Sequence, residues 1–340
     1  MRRSELAARV DVSPSAITQL ESGHTKPSSA TLSRISLALG FPVDFFLDDG
    51  RRPAIKDHGR AFFRSLRATR QIDRDRAAAR AFLVSELVEV MEHHVRLPSV
   101  GLPGNLHLDQ DSASREMIEE RAVALRRAWN VPDGPIANVV RLLEVNGIIV
   151  THCIFDCPEV SSFSRCFGAR PVVVLKEERD DVARLRSDAA HELGHLVLHE
   201  EPEAGNQILE AQAQAFAGSF LMPRDQIAAS LPRSFDIERY HVLKKTWGVS
   251  LQFLLYRARE LGRMSESTYR RAMMVFSKNR WRVREPFPLT AREETRLLAR
   301  AMEVISNAGL REKDILTEAR LPATFFAQVS HDSPMPSVTL

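Results

Sequence analysis

Little in this sequence is in excess, and its shortages narrow what the chain can be. Cysteine is scarce, at three in 340 residues. An odd and small number gives no disulfide scaffold and fits a reducing compartment, so a cytoplasmic location is expected. No apolar run approaches the ~18 residues that a membrane span needs. The opening MRRSELAARVDV has charge but no apolar core or cleavage site, so no secretory signal is expected there. Internal repeats, low-complexity tracts and a sustained heptad seam are also missing. A net charge of +3 is too small to announce a nucleic-acid partner. What is present is an ordinary globular composition, 44% hydrophobic and 27% charged, on a chain too long for a single ordinary core. Two or three domains are expected.

Charge is sorted along the chain. Residues 51–80 carry ten basic and three acidic side chains, and residues 177–210 carry three basic and ten acidic. The first block, with Phe62-Phe63-Arg64-Ser65-Leu66-Arg67 in it, suits a phosphate backbone, an interdomain contact or a solvated linker helix. The second is either a place where a divalent cation can be held or a set of solvated acidic helix ends.

Turn and cap residues divide the chain into elements. Ser13-Pro14 reads as an N-cap and first-turn pair, Ser22-Gly23 as a helix end, and Gly40-Phe41-Pro42 as another. A long helical pattern runs from about Arg74 to Val95 and stops at the Pro98 to Gly104 loop. Helices are expected around 114–130 and 136–146, then strands beginning near Gly147 and over Pro171–Leu175. Helical patterns dominate from Val182 onward.

One string carries chemistry: His191-Glu192-Leu193-Gly194-His195. Positions i and i+4 share a helix face, so both imidazoles can reach one cation, with Glu192 beside them. Zinc accepts tetrahedral nitrogen and oxygen ligands and in catalytic sites keeps one position for water. The bland alternative is two surface histidines on a helix. Val182, Leu185, Ala189, Leu193 and Val197 argue against it, since they form an apolar stripe fit for burial. His199 lies ~80° around such a helix from His191 at about 100° per residue, which favours a supporting role over ligation. Cys153, Cys157 and Cys166, with His152, do not match zinc-knuckle spacing and read as buried or loop thiols.

The flanking segment completes a resemblance. HELGHLVLH at 191–199 and EAQAQAFAGSFLMP at 210–223 resemble the paired motifs of the ImmA/IrrE-type zinc metallopeptidases, whose known members cleave helix-turn-helix repressors. The likeness extends to Gly248-Val249-Ser250 and to Trp281–Pro286. It implies Zn2+ as cofactor, His191, His195 and Glu210 as ligands, and Glu192 as general base. Gln214 stands where the family usually has asparagine, which keeps an amide, and is expected with His199 to support the ligands. Glu200, Glu201 and Glu203 are nearer to His195 in sequence, but they sit in a Glu-Glu-Pro-Glu-Ala-Gly turn with little to fix a rotamer. Glu210 opens a helix whose Ala213, Phe216, Ala217 and Phe220 can pack it in place. The strand over Val172–Leu175 is expected either as an edge that binds extended substrate or as a buried strand.

Residues 4–40 resemble the phage-repressor-like (XRE) helix-turn-helix, through Ser4-Glu5-Leu6-Ala7, Ile17-x-x-Leu20-Glu21-x-Gly23, Lys26-Pro27-Ser28 and Leu32-x-x-Ile35-x-x-Ala38-Leu39-Gly40. With Ile17 and Leu20 inside, Ser15, Ala16, Thr18 and Gln19 are left to face DNA, Gln19 being able to pair bidentately with adenine. The family's basic first helix has no counterpart before Ser4, so the start is expected either upstream or in a shortened module.

The resulting expectation is a mainly α chain with a small β-sheet (α+β). Its parts are a helix-turn-helix at 1–48, a basic linker and long helix at 49–108, a zincin-like metallopeptidase domain at 109–288 and a helical C-terminal region at 289–340. The function expected is a DNA-binding transcriptional regulator carrying a zinc endopeptidase that cleaves a repressor-type protein or itself. The alternative is a transcription factor whose peptidase fold only senses or dimerises. Expected partners are double-stranded DNA and a protein or peptide substrate, with no membrane; a homodimer is left open.

Overall fold

The computed structural model describes residues 1–47, 62–63, 71–109, 113–153, 162–168, 170–176, 181–199, 206–290 and 293–330. The chain is mainly helical with one small sheet, an α+β architecture, and it divides into two compact units. One comprises Met1–His58, Glu86–Arg96 and Ala301–Leu340; the other comprises Gly59–Ser85 and Leu97–Arg300.

The first unit opens with α1 (Arg3–Arg9), α2 (Pro14–Glu21) and α3 (Ser29–Leu39). Local chemistry sets their limits where the turn residues say it should. The Ser13 hydroxyl accepts from the Ala16 N–H at 3.1 Å, Pro14 follows at the first helical position, and Ser28 caps α3 through Thr31. Gly40 takes a left-handed φ of 70° and ends α3. The core of this trihelical module is Ala7, Val10, Ile17 and Ile35, with Leu6, Val12, Leu20, Ala38 and Phe46 packed against it.

The second unit contains β1 (Phe62–Phe63), and α4 (Gln71–Glu92) begins in it. Then come α5 (Arg115–Ala128), α6 (Val139–Val145), β2 (Ile149–Cys153), β3 (Ser162–Phe167) and β4 (Arg170–Lys176). The remaining helices of this unit are α7 (Val182–Leu198), α8 (Gln207–Leu221), α9 (Arg224–Ile227), α10 (Ile237–Trp247), α11 (Leu251–Glu260) and α12 (Glu266–Lys278). α13 (Leu297–Asn307) leads into the first unit again, where α14 (Glu312–Glu318) and α15 (Phe325–Val329) lie.

The sheet has the order β1-β3-β4-β2. β2 runs parallel to β4, and β3 pairs antiparallel with β4 on one side and with β1 on the other. β4 is therefore an interior strand. Its five consecutive buried residues, Pro171–Leu175, are the signature of a strand covered on both faces, and no substrate can add to it. Of the two readings of Val172–Leu175, the buried strand is the one the fold adopts, and the substrate-binding edge is not here. β3 did not announce itself: Ser-Phe-Ser-Arg-Cys-Phe has polar residues at alternate positions that look solvent-facing, yet Ser162 and Ser164 are fully buried.

Polar side chains lock the second unit together. Arg257, buried in α11, donates to Glu119 of α5 (Nη2 to Oε1, 2.8 Å), to Glu260 (2.7 Å) and to the Met222 carbonyl (3.1 Å). Glu119 also accepts from Ser219 and from the Arg224 N–H. Glu293 accepts from the N–H groups of Val139 and Val140 and from Arg186, so a distant carboxylate caps α6.

Candidate metal centre

α7 and α8 approach closely, and the reason is small side chains at their crossing. A Cβ added at Gly194 would meet the Cα and the carbonyl oxygen of Ala213 and the Phe216 ring, all at 3.1 Å. Residues Asp188–Leu198 of α7 are buried on every side. His191 and His195 are thus not surface histidines; they are 1% and 0% exposed.

The three candidate donors converge. His195 Nε2 lies 3.1 Å from His191 Nε2 and 3.5 Å from Glu210 Oε1, and His191 Nε2 lies 3.2 Å from Glu210 Oε2. Ligands about 2.0–2.1 Å from a tetrahedral zinc lie about 3.3 Å from one another, so the set has the spacing a zinc site demands. Two lone-pair nitrogens this close repel unless a proton or a cation lies between them. Two neutral imidazoles and one carboxylate also suit a dication in charge. Among the described residues, this is the one cluster of histidine, cysteine and carboxylate groups able to hold a metal. Cys153 ends β2, Cys166 is exposed on β3, and Cys157 lies outside the described residues, as do Glu200, Glu201 and Glu203.

Glu210 sits in the first turn of α8, whose N-cap Asn206 accepts from the Ile208 N–H. Burial raises its pKa, but hydrogen bonds from His191 and His195 outweigh that and hold the carboxyl down to about 2. Glu192 is the opposite case. Fully buried, it is pushed up to about 8, against the pull of two hydroxyls: Ser162 donates to Oε1 and Ser164 to Oε2, both at 2.7 Å. Those serines are where β3 meets α7, and nothing in the local Ser-Phe-Ser pattern marks either as a partner of Glu192.

Behind His195 runs a chain of side chains. Its Nδ1 is 3.2 Å from Nδ1 of His199, and His199 Nε2 is 2.9 Å from Gln212 Oε1. A proton on His199 Nε2, donated to the Gln212 carbonyl, leaves His199 Nδ1 as acceptor for His195 Nδ1–H. That holds a proton on His195 Nδ1 and leaves its Nε2, which faces Glu210 and donates to it in the metal-free arrangement, as the nitrogen that a metal would take. Burial and the neighbouring His195 lower the His199 pKa to about 4, which keeps it neutral. His199 is thus in the supporting position that the motif suggested. The amide reaching it belongs to Gln212; Gln214, one turn beyond Glu210, is half-buried.

In the first unit, α2 presents Ser15, Thr18 and Gln19 as exposed residues and Ala16 as half-exposed, with Ile17 buried beneath. The Ser15 and Ser13 hydroxyls are bonded at 2.8 Å, and Thr18 donates to the Pro14 carbonyl at 3.1 Å. Arg64 and Arg67 lie outside the described residues.

Comparison with known families now bears on both sites. Residues 144–259 match the IrrE N-terminal-like domain, a peptidase family, and residues 1–46 match a helix-turn-helix family. The chain carries an IrrE-like domain and an XRE-type helix-turn-helix. The IrrE-like match contains β2 to β4, α7 and α8, hence every group of the candidate metal centre. The helix-turn-helix match contains α1 to α3. No curated protein matches the chain. The two domains mark a DNA-binding regulator with a metallopeptidase-type domain. No described helix is long and apolar enough to cross a membrane.

Proposed function

We propose that the IrrE-like domain is a zinc-dependent endopeptidase acting on a protein substrate, a helix-turn-helix repressor or this chain itself, in a regulator that docks on DNA through α2. The observation carrying the proposal is the convergence of His191, His195 and Glu210 to within 3.1–3.5 Å, with Glu192 adjacent on the same helix. His191, His195 and Glu210 would hold a zinc ion, which would supply the Lewis acidity that lowers the pKa of a water and polarises the scissile carbonyl. The charge of a bound dication would favour ionised Glu192 over its metal-free, burial-raised state; as a carboxylate it takes the proton of the attacking water and delivers it to the leaving amide nitrogen, so the peptide bond is exchanged for a carboxyl and an amine. Ser162 and Ser164 orient Glu192; Gln212 and His199 orient His195. In the helix-turn-helix, Gln19 is the residue proposed to read an adenine, with Ser15, Ala16 and Thr18 lining the same face.

A second reading, a peptidase fold kept as a non-catalytic platform, draws on one observation: both Glu192 oxygens are engaged by serine hydroxyls. One experiment separates the two. The zinc-loaded full chain is incubated with a library of unstructured peptides and cleavage is read by mass spectrometry. The catalytic reading expects cleavage by the unmodified chain and none by Glu192→Gln, which keeps its zinc. Identical peptide profiles for the two proteins would support the platform.

A further inference from the structure

β3 has two edges. One is taken by β4 across the hairpin that joins them, and the other is the side on which an extended chain can add to the sheet. That second edge is filled. β1 lies along it antiparallel, Phe62 opposite Ser164 and Phe63 opposite Phe163.

The register matters because of where β3 sends its side chains. Alternate residues face opposite sides of a strand, so Ser162 and Ser164 face α7 together, and both hold the Glu192 carboxylate at 2.7 Å. Phe163, between them, is buried on the other side. A chain segment paired to this stretch of β3 therefore runs beside the carboxylate that the peptidase reading uses as its base. Extended peptides are recognised at such an edge by backbone hydrogen bonds, which give affinity, with pockets for alternate side chains adding specificity.

We infer that β1 is a resident occupant of the substrate position: residues 62–63 of the chain hold the edge of β3 that an extended peptide must take. This inference rests on the peptidase reading for its consequence, which is that the site is latent toward other proteins until β1 leaves. Among the described residues β1 pairs at two positions, whereas β3 offers six, so a longer extended segment can pair at more positions than these two.

The test uses binding, so it does not depend on turnover. The probe is a fluorescein-labelled peptide with the sequence of residues 58–68, and its control is the same peptide with proline at both phenylalanines, identical in charge. Fluorescence anisotropy compares the full-length Glu192→Gln chain with the same chain carrying Phe62→Pro and Phe63→Pro. Proline removes the backbone donors and the strand geometry of β1. The expected result is probe binding at least tenfold tighter to the proline variant, with no such gain for the control peptide. Equal affinity for the two proteins would overturn the inference. If the proline variant does not fold, amide hydrogen exchange on the unmodified chain decides: protection at Phe62 and Phe63 is expected, and exchange at the free-peptide rate contradicts it. Tighter probe binding without any peptide cleavage by the unmodified chain would leave the occupied edge standing and defeat the peptidase reading alone.

Discussion

The two functional regions keep their chemistry in opposite places. In the IrrE-like domain the groups that matter are inside: His191, Glu192, His195, His199 and Gln212 are nearly inaccessible, and each is held by a named partner. In the helix-turn-helix they are outside: Ser15, Thr18 and Gln19 stand on the exposed face of α2, over a core of four buried residues. A polar group removed from water is costly unless it is bonded, so a buried cluster of this kind must have a reason. An exposed glutamine needs none. The metal centre can therefore be argued from its own geometry, while the DNA face is argued from its fold.

The sharpest break of this comparison is in the ion pairs. Arg257, with its two carboxylate partners, is almost wholly buried, so Arg257→Met should destabilise the second unit by about 3–5 kcal/mol in chemical denaturation. Burial raises the Glu119 pKa, but the Arg257 charge and the hydrogen bonds from Arg257, the Arg224 N–H and Ser219 together outweigh it and leave that carboxyl below its ordinary value of 4.5. This contribution is complete above pH 4.5 and is lost as pH falls below it, so the gap between the two proteins should narrow in acid. The exposed Arg3–Glu21 pair of the first unit is the counterpart considered last.

Next in size is the support behind His195. Gln212→Leu leaves His199 Nε2 without its acceptor in a buried place, and His199→Phe breaks the chain outright. Each should weaken zinc affinity by about 10–100-fold, measured by competition with a chromophoric chelator, with the fold retained by circular dichroism. Unchanged affinity in both would show that the tautomer of His195 is set otherwise.

On the outer face, Gln19→Ala should cost about 1–3 kcal/mol of preference at one adenine, read by comparing operator variants at fixed salt. A uniform loss across all sequences would place Gln19 on phosphate instead. The smallest effect is Arg3→Met, whose exposed pair should be worth at most about 1 kcal/mol.

How much the sequence disclosed follows the same division. Caps and glycines gave the trihelical module almost to the residue, because Ser13, Ser28 and Gly40 act through bonds within a few positions. The i, i+4 histidines are equally local. What escaped notice depends on neighbours far along the chain. Ser162 and Ser164 look like surface residues until α7 lies across them, thirty and twenty-eight positions away. Gln212 is one more helical glutamine until His199, at the end of α7, turns toward it. Gly194 reads as a weak point in a helix and is instead the place where α8 comes close. Strand order is the extreme case, since nothing in Val172–Leu175 itself says that β3 and β2 cover both its edges.

The claim that three residues on two helices form one metal centre is tested most directly by metal content. The full-length chain, Glu192→Gln and Glu210→Ala are each equilibrated with zinc, passed through a weak chelating resin and measured by mass spectrometry of the elements. A structural zinc contributes about 10–16 kcal/mol over its ligands, so losing one of three protein ligands should remove roughly 3 kcal/mol or more, at least about a hundredfold in affinity. The account predicts close to one zinc per chain for the first two proteins and almost none for Glu210→Ala. One equivalent retained by Glu210→Ala, or none bound by the unmodified chain, would contradict it.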